Sequence, residues 1–153
     1  MPIVRPDDPV RLVSSLPIVS IEPNATLADL AGELERQQVG VVGVTTGDGV
    51  DGVVSERDVA RAVAARVDPD EVWAADLMSE DLVRIDGDEP VSAAADLMID
   101  SGVRHLVIVV DGRGAGIVSV RDVLAVFADD WRRRSDVATG GGPGGGSDGP
   151  AGR

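Results

Sequence analysis

The sequence predicts a mixed α/β (α+β) protein made of two copies of one β-α-β-β-α unit, and three observations predict it. The stretch Gly52-Val53-Val54-Ser55-Glu56-Arg57-Asp58-Val59 returns 64 residues later as Gly116-Ile117-Val118-Ser119-Val120-Arg121-Asp122-Val123. The same spacing carries Ser15 onto Ser79, Val19 onto Val83, Ile21 onto Ile85, Ala31 onto Ala95, Val39 onto Val103 and Ala64 onto Ala128, with no gap. Within each copy, short apolar runs and helical apolar stripes follow one another in the same order. Self-similarity at a fixed period is the mark of a duplicated unit.

Residues 1–9, with three prolines and little periodicity, are expected to form an extended arm. The first repeat is expected over 10–67, a connector over 68–73, and the second repeat over 74–134. Each repeat opens with a short apolar strand, Ile18–Ile21 or Leu82–Ile85. A helix follows, with Leu27, Leu30, Ala31 and Leu34 on one face, matched by Val91, Ala94, Ala95 and Met98. Thr26 with Asp29 makes a capping box for the first of these helices, and Pro90 suits the first turn of the second. Two strands come next, Val41–Thr45 with Val50–Val54, and Leu106–Val110 with Ala115–Val118. They flank Thr46-Gly47-Asp48-Gly49 and Asp111-Gly112-Arg113-Gly114, glycine-rich connections of hairpin length. A closing helix runs from Ser55 to about Val67 and from Ser119 to about Arg134. Asp68-Pro69-Asp70-Glu71 starts a short helical segment leading through Trp73 to Asp76-Leu77-Met78. After Ser135 glycine dominates, and residues 135–153 are expected to be a disordered tail, having no apolar surface to offset the entropy of ordering.

Composition narrows the function. The 153 residues carry a net charge of −13, and every basic residue is arginine. So acidic a chain repels phosphate backbones, so no nucleic-acid partner is expected. Arg132-Arg133-Arg134 is a local exception, read as a positive last turn that complements a helix dipole. With one Phe, two Trp and no Tyr there is no platform for stacking bases. The absence of cysteine removes disulfides, thiolate metal sites and thiol nucleophiles. No apolar run reaches the ~20 residues of a membrane span, so a soluble, cytoplasmic protein with no membrane partner is expected.

The repeated Ser-x-x-Asp has two readings. Serine is a good N-cap, and an acid three residues on completes a capping box. Arg57 and Arg121 fit that role poorly, because a cation is disfavoured in a first helical turn. The glycine three residues before each serine marks a backbone that something approaches closely. A carboxylate at a helix start can also accept hydrogen bonds from two neighbouring hydroxyls, as on a ribose. The free N–H groups of that turn, the serine and a guanidinium suit phosphate. Among the remaining residues, His105 lies at a strand start without partner ligands for a metal. Trp131 continues the stripe Leu124, Phe127, Ala128, which fits packing against a neighbouring helix or a second subunit.

The doubled unit, Ile21-Glu22-Pro23-x-x-Thr26-Leu27, the Asp76-Leu77-Met78 entry and the doubled Gly-h-h-Ser-x-x-Asp together resemble a tandem pair of CBS (cystathionine-beta-synthase) domains, a Bateman module, over about residues 10–130. The resemblance implies two repeats packed about a pseudo-two-fold axis, with two clefts between their sheets that bind AMP, ADP or ATP. NAD(H) or S-adenosylmethionine is the less favoured ligand, and no cofactor is required. It places ribose on Asp58 and Asp122, ribose or phosphate near Ser55, Ser119, Arg57, Arg121, Arg104 and His105, and adenine beside Ser20, Ile21, Pro23, Arg84 and Ile85. Gly40-Val41 stand where the second copy has Arg104-His105, and Gly87 replaces Pro23, so one strong and one weak site are expected. A regulatory homodimer acting on a separate protein is implied, with no catalytic residue and no metal. The alternative is a ligand-free interaction module, its Ser-x-Arg-Asp turns serving only as caps. An enzyme is disfavoured, since no nucleophile–base–orienter set and no P-loop is present.

Overall fold

The computed structural model describes residues 3–139. After a 3-10 turn at Val10–Leu12, the elements are β1 (Ser20–Ile21), α1 (Leu27–Gln37), β2 (Val41–Val44), β3 (Gly52–Ser55) and α2 (Glu56–Ala64). A short α3 (Ala74–Leu77) leads to β4 (Arg84–Asp86), α4 (Val91–Ser101), β5 (His105–Val110), β6 (Arg113–Ser119) and α5 (Val120–Thr139). Two three-stranded sheets result, ordered β1-β2-β3 and β4-β5-β6. In each, the first pairing is parallel and the second antiparallel. The registers match across the repeat, since Val41 faces Ser55 in one sheet and His105 faces Ser119 in the other.

Each sheet packs its helices over a separate core. The first holds Leu27, Leu30 and Leu34 with Val42, Val44, Val54 and Ala74. The second holds Val91, Ala94 and Met98 with Leu106, Ile108, Val118 and Val10. These helical residues fall at i, i+3 and i+7, which sets them on one face. Ala31 and Ala95 lie at its edge, half-buried.

Val10 belongs to the second core although it precedes the first repeat, and its partners explain why. Its N–H donates to the Glu89 carbonyl at 2.7 Å, that of Arg11 donates to Gly87 at 3.1 Å, and Val91 donates to Asp8 at 3.0 Å. The residues 64 positions away repeat these bonds: Ala74 to Ala25 at 2.8 Å, Ala75 to Pro23 at 3.0 Å, and Leu27 to Val72 at 2.8 Å. The N-terminal arm thus does for the second half what the connector does for the first. In both, an otherwise orphaned N–H at a helix start finds a carbonyl. The pattern reappears at the bridges Ser15–Ile117 and Val53–Ser79, and at Pro9–Pro90 and Thr26–Trp73. Paired reciprocal contacts of this kind are what two-fold-related units make.

Three details differ from the sequence expectation. Asp68–Glu71 forms a turn, and the helix begins only at Ala74. The second hairpin closes tightly on Asp111 and Gly112, both with positive φ (52° and 75°), so β6 starts at Arg113 inside the expected turn. Residues 135–139, expected in the tail, continue α5: Ser135 Oγ donates to the Trp131 carbonyl and Thr139 Oγ1 to Ser135, both at 3.0 Å. They contain neither glycine nor proline, so nothing breaks the helix before Gly140. The rest of the expected tail, 140–153, lies outside the described residues.

Candidate functional site

Both Ser-x-x-Asp turns are closed capping boxes. Asp58 Oδ2 accepts from the Ser55 N–H at 2.8 Å and from the Ser55 hydroxyl at 2.7 Å, while the Asp58 N–H donates to Ser55 Oγ at 3.4 Å. In the second copy the matching distances are 3.0, 2.6 and 3.2 Å. One carboxylate oxygen of each aspartate is therefore committed to its helix. The other, Oδ1, is held in Asp58 only by an exposed Arg61 guanidinium at 3.4 Å. A contact of that length to a solvated arginine is weak.

The motif glycines serve the protein's own packing. A Cβ on Gly52 would lie 2.6 Å from Met78 Sδ, and one on Gly116 would lie 2.6 Å from Leu16 Cδ1 and 2.9 Å from the Ser15 carbonyl oxygen. What approaches these backbones is the chain entering the opposite repeat.

Between the sheets lies a cavity of about 900 Å³. Positions 64 apart line it together: Val39 and Val103, Gly40 and Arg104, Val41 and His105, Val53 and Ile117, Ser55 and Ser119, Arg57 and Arg121. A cavity lined by both members of each pair sits on the pseudo-two-fold axis. The starts of β2 and β5 both line this cavity, Val41 from one repeat and His105 from the other. The groove is unsymmetrical at its ends. Asp58 lines it, together with Ser79, Asp81, Leu82 and Val83 of the chain leading into β4. Asp122, and Ser15 to Ile18 on the corresponding lead-in, are not among its lining residues.

Its charge is also unsymmetrical. The first repeat contributes Glu35, Glu56 and Asp58 alongside Arg57 and Arg61. The second contributes Arg104, His105 and Arg121 with a single carboxylate, Asp81 on the chain leading into β4. The positively charged residues of the second repeat and the Asp58 carboxylate thus line the same groove. Burial holds the His105 imidazole below its ordinary proton affinity; Asp122 pulls it up and Arg104 pushes it down.

The other sequence candidates lie elsewhere. Ser20, Ile21 and Pro23 line a separate cavity of about 470 Å³ with Asn24, Thr45 and Thr46. Ser20 pairs at the level of Gly43, and Ile21 at that of Val44. Ser55 sits at the level of Val41, so at about 3.4 Å per residue this second cavity opens toward the far end of the sheet. Ile85 is a core residue, because alternation along β4 turns it inward. Arg84 crosses to the first repeat, where its guanidinium donates to the Val50 carbonyl at 3.4 Å. None of these five lines the axial groove, whereas Ser55, Arg57, Asp58, Arg104, His105, Ser119 and Arg121 all do. Sequence reasoning did not single out Ser79, Asp81, Leu82 and Val83, which also line the groove. Their signal was the return of Ser15 as Ser79 just ahead of each first strand.

Two interlocked β-α-β-β-α units around an axial polar groove define a paired-repeat module. The CBS domain family model matches residues 10–65 and 74–129, and the chain belongs to that family. It is 37% identical over 112 residues to Uncharacterized protein MK0525 of Methanopyrus kandleri, an alignment covering 71% of this chain and 57% of that relative. The chain therefore spans little more than half of that relative's length. Among solved structures it is similar to the CBS domain protein PAE2072 from Pyrobaculum aerophilum complexed with AMP, at 30% identity and TM-score 0.69, covering 79% of this chain and 96% of that one. The CBS domain pair of protein MJ0100, in complex with 5'-methylthioadenosine and S-adenosyl-L-methionine, shares the fold at 23% identity and TM-score 0.68, covering 78% and 98%. Among the described residues, no helix is long and apolar enough to cross a membrane.

Proposed function

We propose that this chain is a regulatory module that binds an adenine nucleotide in the axial groove and passes its occupancy to a separate protein. The observation that carries the reading is that Asp58 and the Arg104, His105 and Arg121 side chains line one groove. Asp58 Oδ1 accepts the ribose hydroxyls, its other oxygen being fixed by the cap. Arg57 and the second-repeat wall receive the phosphates through charge-assisted hydrogen bonds. The lead-in Leu82–Val83 supplies apolar surface for the base. Asp58 is the preferred ribose acceptor, since it lines the groove together with Asp81, Leu82 and Val83 of the lead-in. The AMP bound by the Pyrobaculum protein supports an adenine nucleotide, and AMP, ADP and ATP are preferred over S-adenosylmethionine or NAD(H). The role is regulatory and not catalytic. Leu124 (62% exposed) and Trp131 (73%) form an unpartnered stripe along α5, which a second copy covers in a homodimer; light scattering on the parent and on Trp131→Asp tests that.

The capping boxes themselves favour a second reading, a ligand-free interaction module, because Ser55–Asp58 and Ser119–Asp122 have a structural job without ligand. Thermal denaturation with AMP, ADP, ATP, NAD and S-adenosylmethionine separates the two. A ligand at about 100 times its Kd stabilises by about 2.7 kcal/mol, a melting shift of several degrees. Should no compound move the melting temperature, the interaction module stands.

A further inference from the structure

We propose that nucleotide binding in the axial groove draws a proton onto His105, so that this module responds to pH and nucleotide together. The inference rests on the reading of the groove just given and concerns how that site is regulated.

His105 is the chain's one histidine. It opens β5 opposite Ser119, is half-buried, and lines the groove. The charged groups around it come from five segments. Arg104 is its chain neighbour, and Arg121 and Asp122 occupy the first turn of α5. Across the groove α2 contributes Glu56, Arg57, Asp58 and Arg61, α1 contributes Glu35, and the lead-in contributes Asp81. Burial and Arg104 outweigh Asp122, which favours the neutral imidazole while the groove holds no anion.

A nucleotide phosphate on the Arg104–Arg121 wall reverses that balance. An opposite charge within about 4–6 Å favours the charged form of a titrating group, moving its midpoint by about 1–3 pH units. The arginines cannot respond, since they stay protonated throughout. His105 is the group on this wall whose charge can change near neutrality. The corresponding position in the first repeat is Val41, so the linkage is limited to one proton per chain. Where a whole proton is taken up, affinity rises by about tenfold for each pH unit of acidification. The second ionisation of the phosphate, near pH 6, also reduces the nucleotide's charge in acid. The imidazole itself is therefore the better reporter.

A single histidine gives a single imidazole Cε1–H resonance, which can be followed by NMR from pH 5 to 8.5 with and without saturating AMP. The expected midpoint lies below the ordinary histidine range in the free protein and at least one pH unit higher in the complex. Calorimetry at pH 7 in two buffers of different ionisation enthalpy should then show proton uptake with AMP. The His105→Gln variant should bind AMP more weakly and take up no proton. An unmoved midpoint while AMP binds with measurable heat overturns the proton linkage and leaves the nucleotide site standing. Absence of both heat and shift, with AMP and with ATP, sinks the site reading and this inference together.

Discussion

The two helix entrances, Ser55–Asp58 and Ser119–Asp122, are built alike and used unlike. Their hydrogen bonds agree to within 0.2 Å (2.8 and 3.0, 2.7 and 2.6, 3.4 and 3.2 Å). Yet the first has its aspartate among the residues lining the axial groove, and the second stands beside an Arg-His strand start. Duplication keeps what the fold needs, a capped helix after a strand. The positions that a cap does not constrain have diverged: Gly40 against Arg104, Val41 against His105, Glu56 against Val120 and Arg61 against Ala125. Divergence leaves the groove acidic residues from the first repeat, Glu35, Glu56 and Asp58, and Arg104, His105 and Arg121 from the second, the residues that the proposed reading assigns to sugar and phosphate.

The cores show the same split between shared plan and separate solution. Leu30 and Ala74 are wholly buried in the first core, and the residues 64 positions from them, Ala94 and Val10, are wholly buried in the second. A large residue on the helix and a small one on the crossing segment are exchanged for the opposite arrangement. Leu30→Ala should therefore cost about 3 kcal/mol in urea denaturation. Adding Ala74→Val to it should recover part of that loss, as volume-conserving repacking does. No recovery would mean that the two cores are not alternative fillings of one plan.

A smaller effect is expected at the motif glycines. Gly116→Ala meets a backbone oxygen, the Ser15 carbonyl, and should cost about 2 kcal/mol. Gly52→Ala meets the flexible Met78 side chain, which can turn aside, so about 1 kcal/mol is expected. Equal losses would show that the two lead-ins are held with the same rigidity. Ser55→Ala and Ser119→Ala should each lose about 1 kcal/mol and differ little, because the boxes match.

The smallest effect is on pH. The folded protein holds His105 below its ordinary midpoint, so on acidification the unfolded chain takes the proton first. Stability in the absence of nucleotide should then fall as pH drops below about 6.5, and level off once the folded form also protonates. The sign is opposite to that of a paired histidine. Comparing urea midpoints at pH 8 and 5.5 for the parent and His105→Gln isolates this contribution, which should vanish in the variant.

Most of the fold was legible because one period ran through the chain, and the capping boxes and helical stripes followed from local chemistry. The exchange of lead-ins was not legible. The bond from Ser15 to Ile117 joins residues from opposite repeats, and Val10 reads as the start of the first repeat until its burial against Ile85 and Val91 is seen. The residues that line the groove were readable where they belong to the doubled motif or to its contrast, as with Arg104 and His105. Ser20, Ile21, Pro23, Arg84 and Ile85 were placed at the site because they flank the first strands. Which end of a strand faces the groove depends on how the two sheets meet, and no local pattern records that.

The direct measurement is calorimetric titration of AMP into the parent, Asp58→Asn and Asp122→Asn. Asparagine keeps an acceptor for the Ser N–H while removing the carboxylate, so circular dichroism should show all three folded. The account predicts that Asp58→Asn weakens AMP binding by more than about tenfold, the loss of one charge-assisted hydrogen bond, while Asp122→Asn stays close to the parent. Loss of binding in Asp122→Asn with Asp58→Asn unaffected would contradict it.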